Sequence, residues 1–396
     1  MFAWRTLYPL ALATAAGLTT PNLVVVSGGC HGNEFTGPWV LSRLEQQSTE
    51  LAAAFPSLHV NTLLANPQAH AGIKRFVDAD LNRQFSHAAL GDGEPASYEA
   101  RRAREVASLV GPKGTSNPAA DLCIDLHTTT ANMGCTLIVG SWCAPALAAA
   151  AYVAEHWSRG GDEVAEAFPL RVLIDPHYTQ KNCPYLCSVG RHGFEIEVGP
   201  CAQGLLRADV AEATERAVMM TLEFFERVNA GEQFALPLSL SAYLDKGKLS
   251  WPSGSAVLPG AIVHPRLQDR DFRPLAIGDP LWLGVDGSVT VYDGQCGDVV
   301  RPIFVNEAAY YHAASGLGIG VCEPITWQLA DRSEWPLRRD GERGAVIGRG
   351  TRHQLEWDAA VVHAREVTRR ESERTVGEEV HVEAANIATN DGRLAE

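Results

Sequence analysis

The 396-residue chain contains no C-x-x-C pair, no internal repeat, no apolar run long enough to span a bilayer and no surplus of positive charge. The first absence argues against a cysteine zinc knuckle and the third against a membrane-spanning protein. Lys and Arg number 33 against 47 Asp and Glu, a formal net charge of −14 with a pI near 5.4. That field opposes broad binding to nucleic acid or to an anionic membrane, so an anionic ligand has to be held by a few local arginines. The nine cysteines are odd in number, scattered, and several sit in apolar runs where a thiol behaves as a small hydrophobe. They read as reduced thiols and place the protein in the cytoplasm. The opening stretch MFAWRTLYPLALATAAGLTTP supplies the alternative, since one Arg, an apolar stretch and small residues make a weak signal-like pattern.

What is present is a soluble globular composition, 46% hydrophobic and 20% charged, in a chain long enough for one large domain or two ordinary ones. LVVVS (23–27), HVNTLLA (59–65), LCIDL (122–126), CTLIVG (135–140) and GFEIEVG (193–199) read as strands, with helical patterns over 34–54, 97–111, 144–166 and 205–229. Near-continuous apolar strands alternating with helices imply an α/β fold with a mostly parallel sheet covered on both faces. From about 232 short strands and turns take over, as in PLWLGVDGSVTVYDGQ, which implies a smaller β-rich domain. The expected division is an extension over 1–20, a catalytic α/β domain over 21–231, a β-rich domain over 232–320 and a poorly structured or accessory tail over 321–396, where large apolar residues thin out.

Three features fall at the carboxyl ends of expected strands, where open α/β sheets place their sites. His31 and Glu34 follow LVVVSGG, His127 ends LCIDLH, and Glu197 lies near the end of GFEIEVGP. Two imidazoles and a carboxylate form a catalytic zinc set that leaves a fourth position for water. H-x-x-E alone is weak and ordinarily marks a polar turn or a core pair. Preceding glycines, a bend at Gly32-Asn33 and a D-L-H at another strand end strengthen the metal reading. Asp125, on the same side of its strand as His127, suits an acceptor for that imidazole's second N–H; otherwise it is an ordinary polar strand end. The segment KRFVDADLNRQF (74–85) concentrates Arg75, Asp78, Asp80, Asn82 and Arg83 without an amphipathic period. It is either a solvated charged loop or a carboxylate and oxyanion site in which Asp80 orients the arginines.

GGCHGNEFTG, DADLNRQF, IDLHTTTANMGCTL, EIEVGPCAQGLLRADV, HPRLQDRDFRPL and PIFVNEAAYY occur in that order. Over about residues 22–315 the chain thereby resembles the aspartoacylase and aminoacylase III family of zinc amidohydrolases. The resemblance implies a carboxypeptidase-like catalytic domain followed by a β-rich domain, and one zinc ion per subunit on His31, Glu34 and His127. It also implies Glu197 as general base, Arg75 as the carbonyl-polarising group and Asn82, Arg83 and Tyr310 as contacts to the substrate carboxylate. Tyr310 is singled out by the resemblance alone; in NEAAYY a tyrosine otherwise reads as packing. A small-molecule N-acyl amino acid is the implied partner, and the family allows a homo-oligomer.

One departure bears on specificity. The position where aspartoacylases carry an arginine for the substrate's acidic side chain, ten residues before the general base, is Cys187, which cannot make a bidentate contact; Arg191 is near only in sequence. Aminoacylase III also lacks that arginine. The expected reaction is therefore deacylation of neutral or aromatic N-acetyl amino acids. N-acetylaspartate deacylation, a carboxypeptidase-like peptidase and a zinc-stabilised binding protein are the competing readings.

Overall fold

A computed structural model describes residues 21–329 except 92, 115–117, 159–162, 233, 235, 236, 238, 253–258 and 312–316. The signal-like stretch over 1–20 and the tail from 330 onward lie outside the described residues.

Thirteen strands and seven α-helices are described: β1 Leu23–Gly28, α1 Thr36–Gln46, α2 Ser48–Ala54, β2 His59–Leu64, α3 Pro67–Ala71, α4 Tyr98–Val110, β3 Leu122–Thr128, β4 Gly134–Gly140, α5 Ala144–His156, α6 Glu163–Ala167, β5 Leu170–Asp175, β6 His192–Gly199 and α7 Ala208–Asn229. The β-rich part follows with β7 Ser239–Leu249, β8 Ala261–Val263, β9 Leu275–Ala276, β10 Pro280–Gly284, β11 Val289–Val291, β12 Val299–Ile303 and β13 Ile319–Gln328. Ten strands form one mixed sheet in the order β2-β1-β3-β6-β4-β5-β7-β13-β12-β9, and β11-β10-β8 form a second. β2, β1, β3 and β6 run parallel, and β4 joins β6 antiparallel.

The alternation of side chains along each strand divides the sheet into two unlike faces. Leu122, Ile124 and Leu126 of β3, Phe194, Ile196 and Val198 of β6, and Leu137 and Val139 of β4 belong to one core, with α1, α5 and α7 laid over it. α7 buries Val210, Ala213, Ala217, Val218, Leu222 and Phe225, the stripe expected of a helix lying on a sheet. The intervening residues Asp125, His127, Glu195, Glu197 and Ile138 point the other way. There α4 and the segment around Leu186 cover only the part over Val25 and Cys123. Both faces of the sheet are thus covered, but part of the second face is the floor of a cavity.

Other boundaries shift for local reasons. The helix expected over 34–54 is interrupted at Gln47 (φ −95°, ψ 18°) into α1 and α2. LRVLID, read as part of no element, is β5, bounded by Pro169 and Asp175. The β-rich part has its own core around Leu249, Val263, Trp282, Tyr292, Val300 and Val321. It is nevertheless continuous with the first sheet, because β7 pairs with β5 and β13 with β7. β13 runs to Gln328, eight residues beyond the expected boundary at 320.

Candidate active site

β1 ends in Gly28, packed so closely on Gly37 of α1 that an added Cβ would meet backbone at 2.7 Å. The chain then turns through Gly29 at φ +68°. Gly32, where the sequence suggests conformational freedom, matters for space: a Cβ there would lie 2.1 Å from the Ala69 carbonyl carbon. This tight turn buries both His31 and Glu34. The Glu34 carboxylate faces two rings, Oε1 lying 2.6 Å from His31 Nδ1 and Oε2 3.2 Å from His127 Nδ1. Glu34 Oε2 also accepts the Thr128 N–H at 3.0 Å, which ties the end of β3 to the turn after β1.

The second nitrogen of each imidazole meets another acid. His31 Nε2 is 3.2 Å from Asp80 Oδ1, and His127 Nε2 is 2.9 Å from Asp125 Oδ2. Asp125 is itself fixed by Ser27 Oγ at 2.6 Å. Burial alone would raise the Glu34 pKa, but the two imidazoles outweigh it and hold the carboxyl well below its usual range. Burial would lower the His127 pKa; Asp125 and Glu34 raise it well above the ordinary value.

Asp80 caps the one-turn 3-10 helix Leu81–Arg83 through the Asn82 N–H at 2.9 Å, and Arg75 Nη2 donates to its other oxygen at 3.1 Å. The same arginine reaches Glu34 Oε1 at 3.5 Å. The loop carrying Arg75 and Asp80 is held from beneath by Glu99. This fully buried carboxylate of α4 accepts the N–H groups of Val77, Asp78 and Ala79 at 2.6–3.0 Å. Nothing in the sequence marks Glu99, which reads there as a solvated helix position.

In the β3–β6 register His127 stands beside Glu197 and Asp125 beside Glu195. Burial pushes the Glu197 carboxyl well up, His127 opposes this, and the neighbouring acids Glu34, Glu307 and Glu195 add to the rise. Asn82 bridges Glu195, donating to Oε1 at 2.8 Å, and the Leu186 N–H, accepted at 2.9 Å. Arg83 lies over the Tyr185 ring at 5.2 Å, and Asp80, Tyr185, Tyr310 and Glu195 outweigh burial to raise its pKa. Glu307, buried, accepts from Thr129 Oγ1 at 2.5 Å and the Thr130 N–H at 2.9 Å, anchoring the segment that bears Tyr310.

One cavity of about 520 Å³ is lined by His31, Glu34, Arg75, Asn82, Arg83, His127, Glu197 and Tyr310, among others. Eight of the eleven residues named as candidates thus border one space, while Asp80 and Asp125 sit behind the two histidines and Asp78 accepts the Tyr98 N–H at 2.8 Å at the start of α4. Tyr311 turns away and donates to Asn306 Oδ1 at 2.8 Å. Cys187 is buried in a narrow pouch with Trp142, Cys183, Tyr185 and Glu195, and Arg191 pairs with Asp121 at 3.4 Å, outside the cavity lining. The cavity also contains residues that sequence reasoning missed, among them Asp175, Tyr178, Tyr185, Glu195 and Glu307. Only Glu195, two residues before Glu197 on the same strand face, left a usable signal.

The donor set fits a metal ion. One donor atom from each of His31, Glu34 and His127 lies within 4.8 Å of the others. Both ring Nδ1 atoms converge on Glu34, and each Nε2 is held by a carboxylate, the arrangement that orients metal-binding histidines. Cys30, Asp125 and His127 also cluster. Neither Cys30 nor Asp125 lines the cavity, so that grouping has no opening toward a ligand.

Fold and site together define a mixed α/β protein with a buried two-histidine, one-carboxylate centre. Residues 20–225 match the Succinylglutamate desuccinylase/Aspartoacylase catalytic domain, and residues 239–319 match the AstE/AspA barrel-sandwich hybrid domain. The chain is 36% identical over 300 residues to mouse aspartoacylase, spanning 73% of this chain and 88% of the relative. It is 37% identical over 291 residues to the human N-acyl-aromatic-L-amino acid amidohydrolase (carboxylate-forming), spanning 73% and 86%. The crystal structure of murine aminoacylase 3 superposes with a TM-score of 0.69 at 34% identity, covering 78% of this chain and 97% of that one. The chain belongs to the succinylglutamate desuccinylase/aspartoacylase family.

Proposed function

We propose that the protein is a zinc-dependent amidohydrolase that cleaves the acyl amide of N-acyl-L-amino acids, releasing a carboxylate and a free amino acid. The observation that carries this reading is the convergence of both imidazole Nδ1 atoms on Glu34 at the end of a cavity that also holds Glu197, Arg75 and Arg83. The family names of the relatives support the same chemistry. His31, Glu34 and His127 would hold one zinc ion, which when bound supplies Lewis acidity and brings the pKa of a coordinated water to about 7.

The chain's own groups do the rest. Glu197 takes the proton of the attacking water and returns it to the departing amine, a task suited to a carboxyl whose pKa burial has raised. Arg75, held by Asp80, donates toward the developing oxyanion. Arg83 offers its guanidinium to the substrate α-carboxylate, with the Asn82 amide and the Tyr310 hydroxyl beside it. Asp80 and Asp125 keep both rings in the tautomer that leaves Nδ1 free. A requirement for a free α-carboxylate favours single N-acyl amino acids over internal peptide bonds.

Neutral or aromatic N-acetyl amino acids are the favoured substrates. Cys187 gives an acidic side chain no cation, and Arg191 is engaged elsewhere. Relatives named aspartoacylase keep N-acetylaspartate as the alternative. Nine free cysteines, eight of them buried, support a cytoplasmic setting, and no helix among the described residues is long and apolar enough to cross a membrane. The deciding assay is zinc-loaded protein against a panel of N-acetyl amino acids. Strong preference for N-acetylaspartate would refute the substrate class, and no turnover of any member with zinc bound would refute the activity.

A further inference from the structure

Away from the zinc-binding residues the cavity floor is the sheet itself. Glu195 of β6, Ile138 of β4 and Leu173 of β5 occupy one register row, and Asp175 lies two residues further along β5 on the same face. All four line the cavity, together with the rings of Tyr178 and Tyr185, which meet edge to face at 5.5 Å. From β6 across β4 to β5 is two interstrand spacings, about 10 Å, enough for a long flat side chain to lie along the floor. The pouch below, reaching Trp142 and Cys187, has room for about one water, so a side chain runs across the sheet toward Asp175 and not downward.

The two acids along this arm are poorly compensated. Asp175 is 8% exposed and Glu195 6%. Glu195 Oε1 accepts from Asn82 Nδ2 at 2.8 Å, and Asp175 Oδ1 accepts the His177 N–H at 2.8 Å. Among the described residues neither has a lysine or arginine within ion-pair distance, and the second oxygen of each has no hydrogen bond. Burial raises the pKa of both. Carboxyl groups enclosed in this way call for donors, and apolar and aromatic walls call for a ring between them.

We infer that Glu195 and Asp175 are specificity-determining residues that accept a hydrogen bond from the substrate side chain, so that the preferred substrates are N-acyl-L-amino acids with a donor-bearing aromatic side chain, a phenol or an indole. This rests on the amidohydrolase reading and narrows its substrate class. A site built around an acceptor for a substrate hydroxyl rejects the analogue lacking it far more strongly than an apolar pocket rejects a missing methylene.

The test compares kcat/KM of the zinc-loaded protein for N-acetyl-L-tyrosine, -tryptophan, -phenylalanine, -lysine, -arginine and -aspartate. Tyrosine or tryptophan should exceed phenylalanine by at least about tenfold. Asp175→Leu should bring that ratio to within about threefold, with Asp175→Asn, which keeps an acceptor, in between; a general structural effect would lower all substrates alike and leave the ratio unmoved. Equal or better turnover of phenylalanine overturns the inference while leaving the amidohydrolase intact. Preference for lysine or arginine overturns the aromatic requirement. Absence of turnover across the panel overturns the parent reading instead.

Discussion

The two ends of the cavity treat buried charge in opposite ways. At the end that holds His31 and His127 each histidine lies between two carboxylates, and Asp80 is shared by His31, Arg75 and a backbone amide. At the other end Glu195 and Asp175 have an amide donor apiece and, among the described residues, no lysine or arginine within ion-pair distance, Arg83 and His127 acting on Glu195 only from further off. Buried charges persist when paired and hydrogen-bonded, so the first end is preorganised and intolerant of change. The second is completed only by what enters it. On the proposed reading, chemistry is fixed at one end and selectivity is set at the other.

The largest expected effect comes from breaking the paired end. His127→Ala leaves Asp125 and Glu34 facing each other without the intervening imidazole, a loss of about 3–5 kcal/mol in stability where a buried pair is broken. Bound zinc measured by elemental analysis should fall below stoichiometry and deacylation to background. Full zinc content would remove His127 from the ligand set.

Next in size is Glu197→Gln, which keeps shape and hydrogen bonding but removes the base. Zinc content should be unchanged while kcat falls about 10²–10⁴-fold, the usual contribution of a positioned general base. Unchanged kcat would assign the proton transfer to another group.

A smaller effect separates ligand from support. Asp80→Asn leaves the three donors in place but weakens the hold on His31 and Arg75, with an expected loss of about 10–100-fold in zinc affinity. Competition with a chelator reads this directly. An unaltered affinity would reduce Asp80 to a helix cap.

Legibility in the sequence follows the same division. His31, Glu34, His127 and Glu197 stand at strand ends, and the β period put Asp125 on the side of His127, as the β3 register has it. The segment with Arg75, Asp80, Asn82 and Arg83 was ambiguous because charge without a period fits a solvated loop as well as a site. What speaks against the solvated loop is Glu99, a residue of another element that accepts three of the loop's amides. Asp175 is unreadable for a similar reason: LRVLID carries no clear element signal in the sequence, and only the β4–β5 pairing brings Asp175, with Tyr178 in the loop after it, to the cavity. Single-strand pattern carries side-chain direction, whereas strand order and crossover contacts carry juxtaposition.

The last prediction uses two histidines on neighbouring strands as a control for this account. His127, between acids, has its pKa raised, whereas His192 at the start of β6 has its pKa pushed down to about 4 by burial, with Arg191 adding to the effect and Asp121 opposing it. Among the described residues its Nε2 has no hydrogen-bond partner and its Nδ1 lies 3.8 Å from Cys143 Sγ, so Asp121 alone favours the charged form and is outweighed. Between the ordinary value of 6.5 and about 4 the unfolded chain binds a proton that the folded chain refuses. Stability from this group is complete above pH 6.5 and is lost as the pH falls toward 4. Denaturant unfolding of the wild type at pH 7 and pH 4.5, set against His192→Gln, should show about 2 kcal/mol more acid loss in the wild type. Identical losses would mean that the imidazole finds a partner when protonated. Burial alone would then not distinguish this histidine from the one between Glu34 and Asp125.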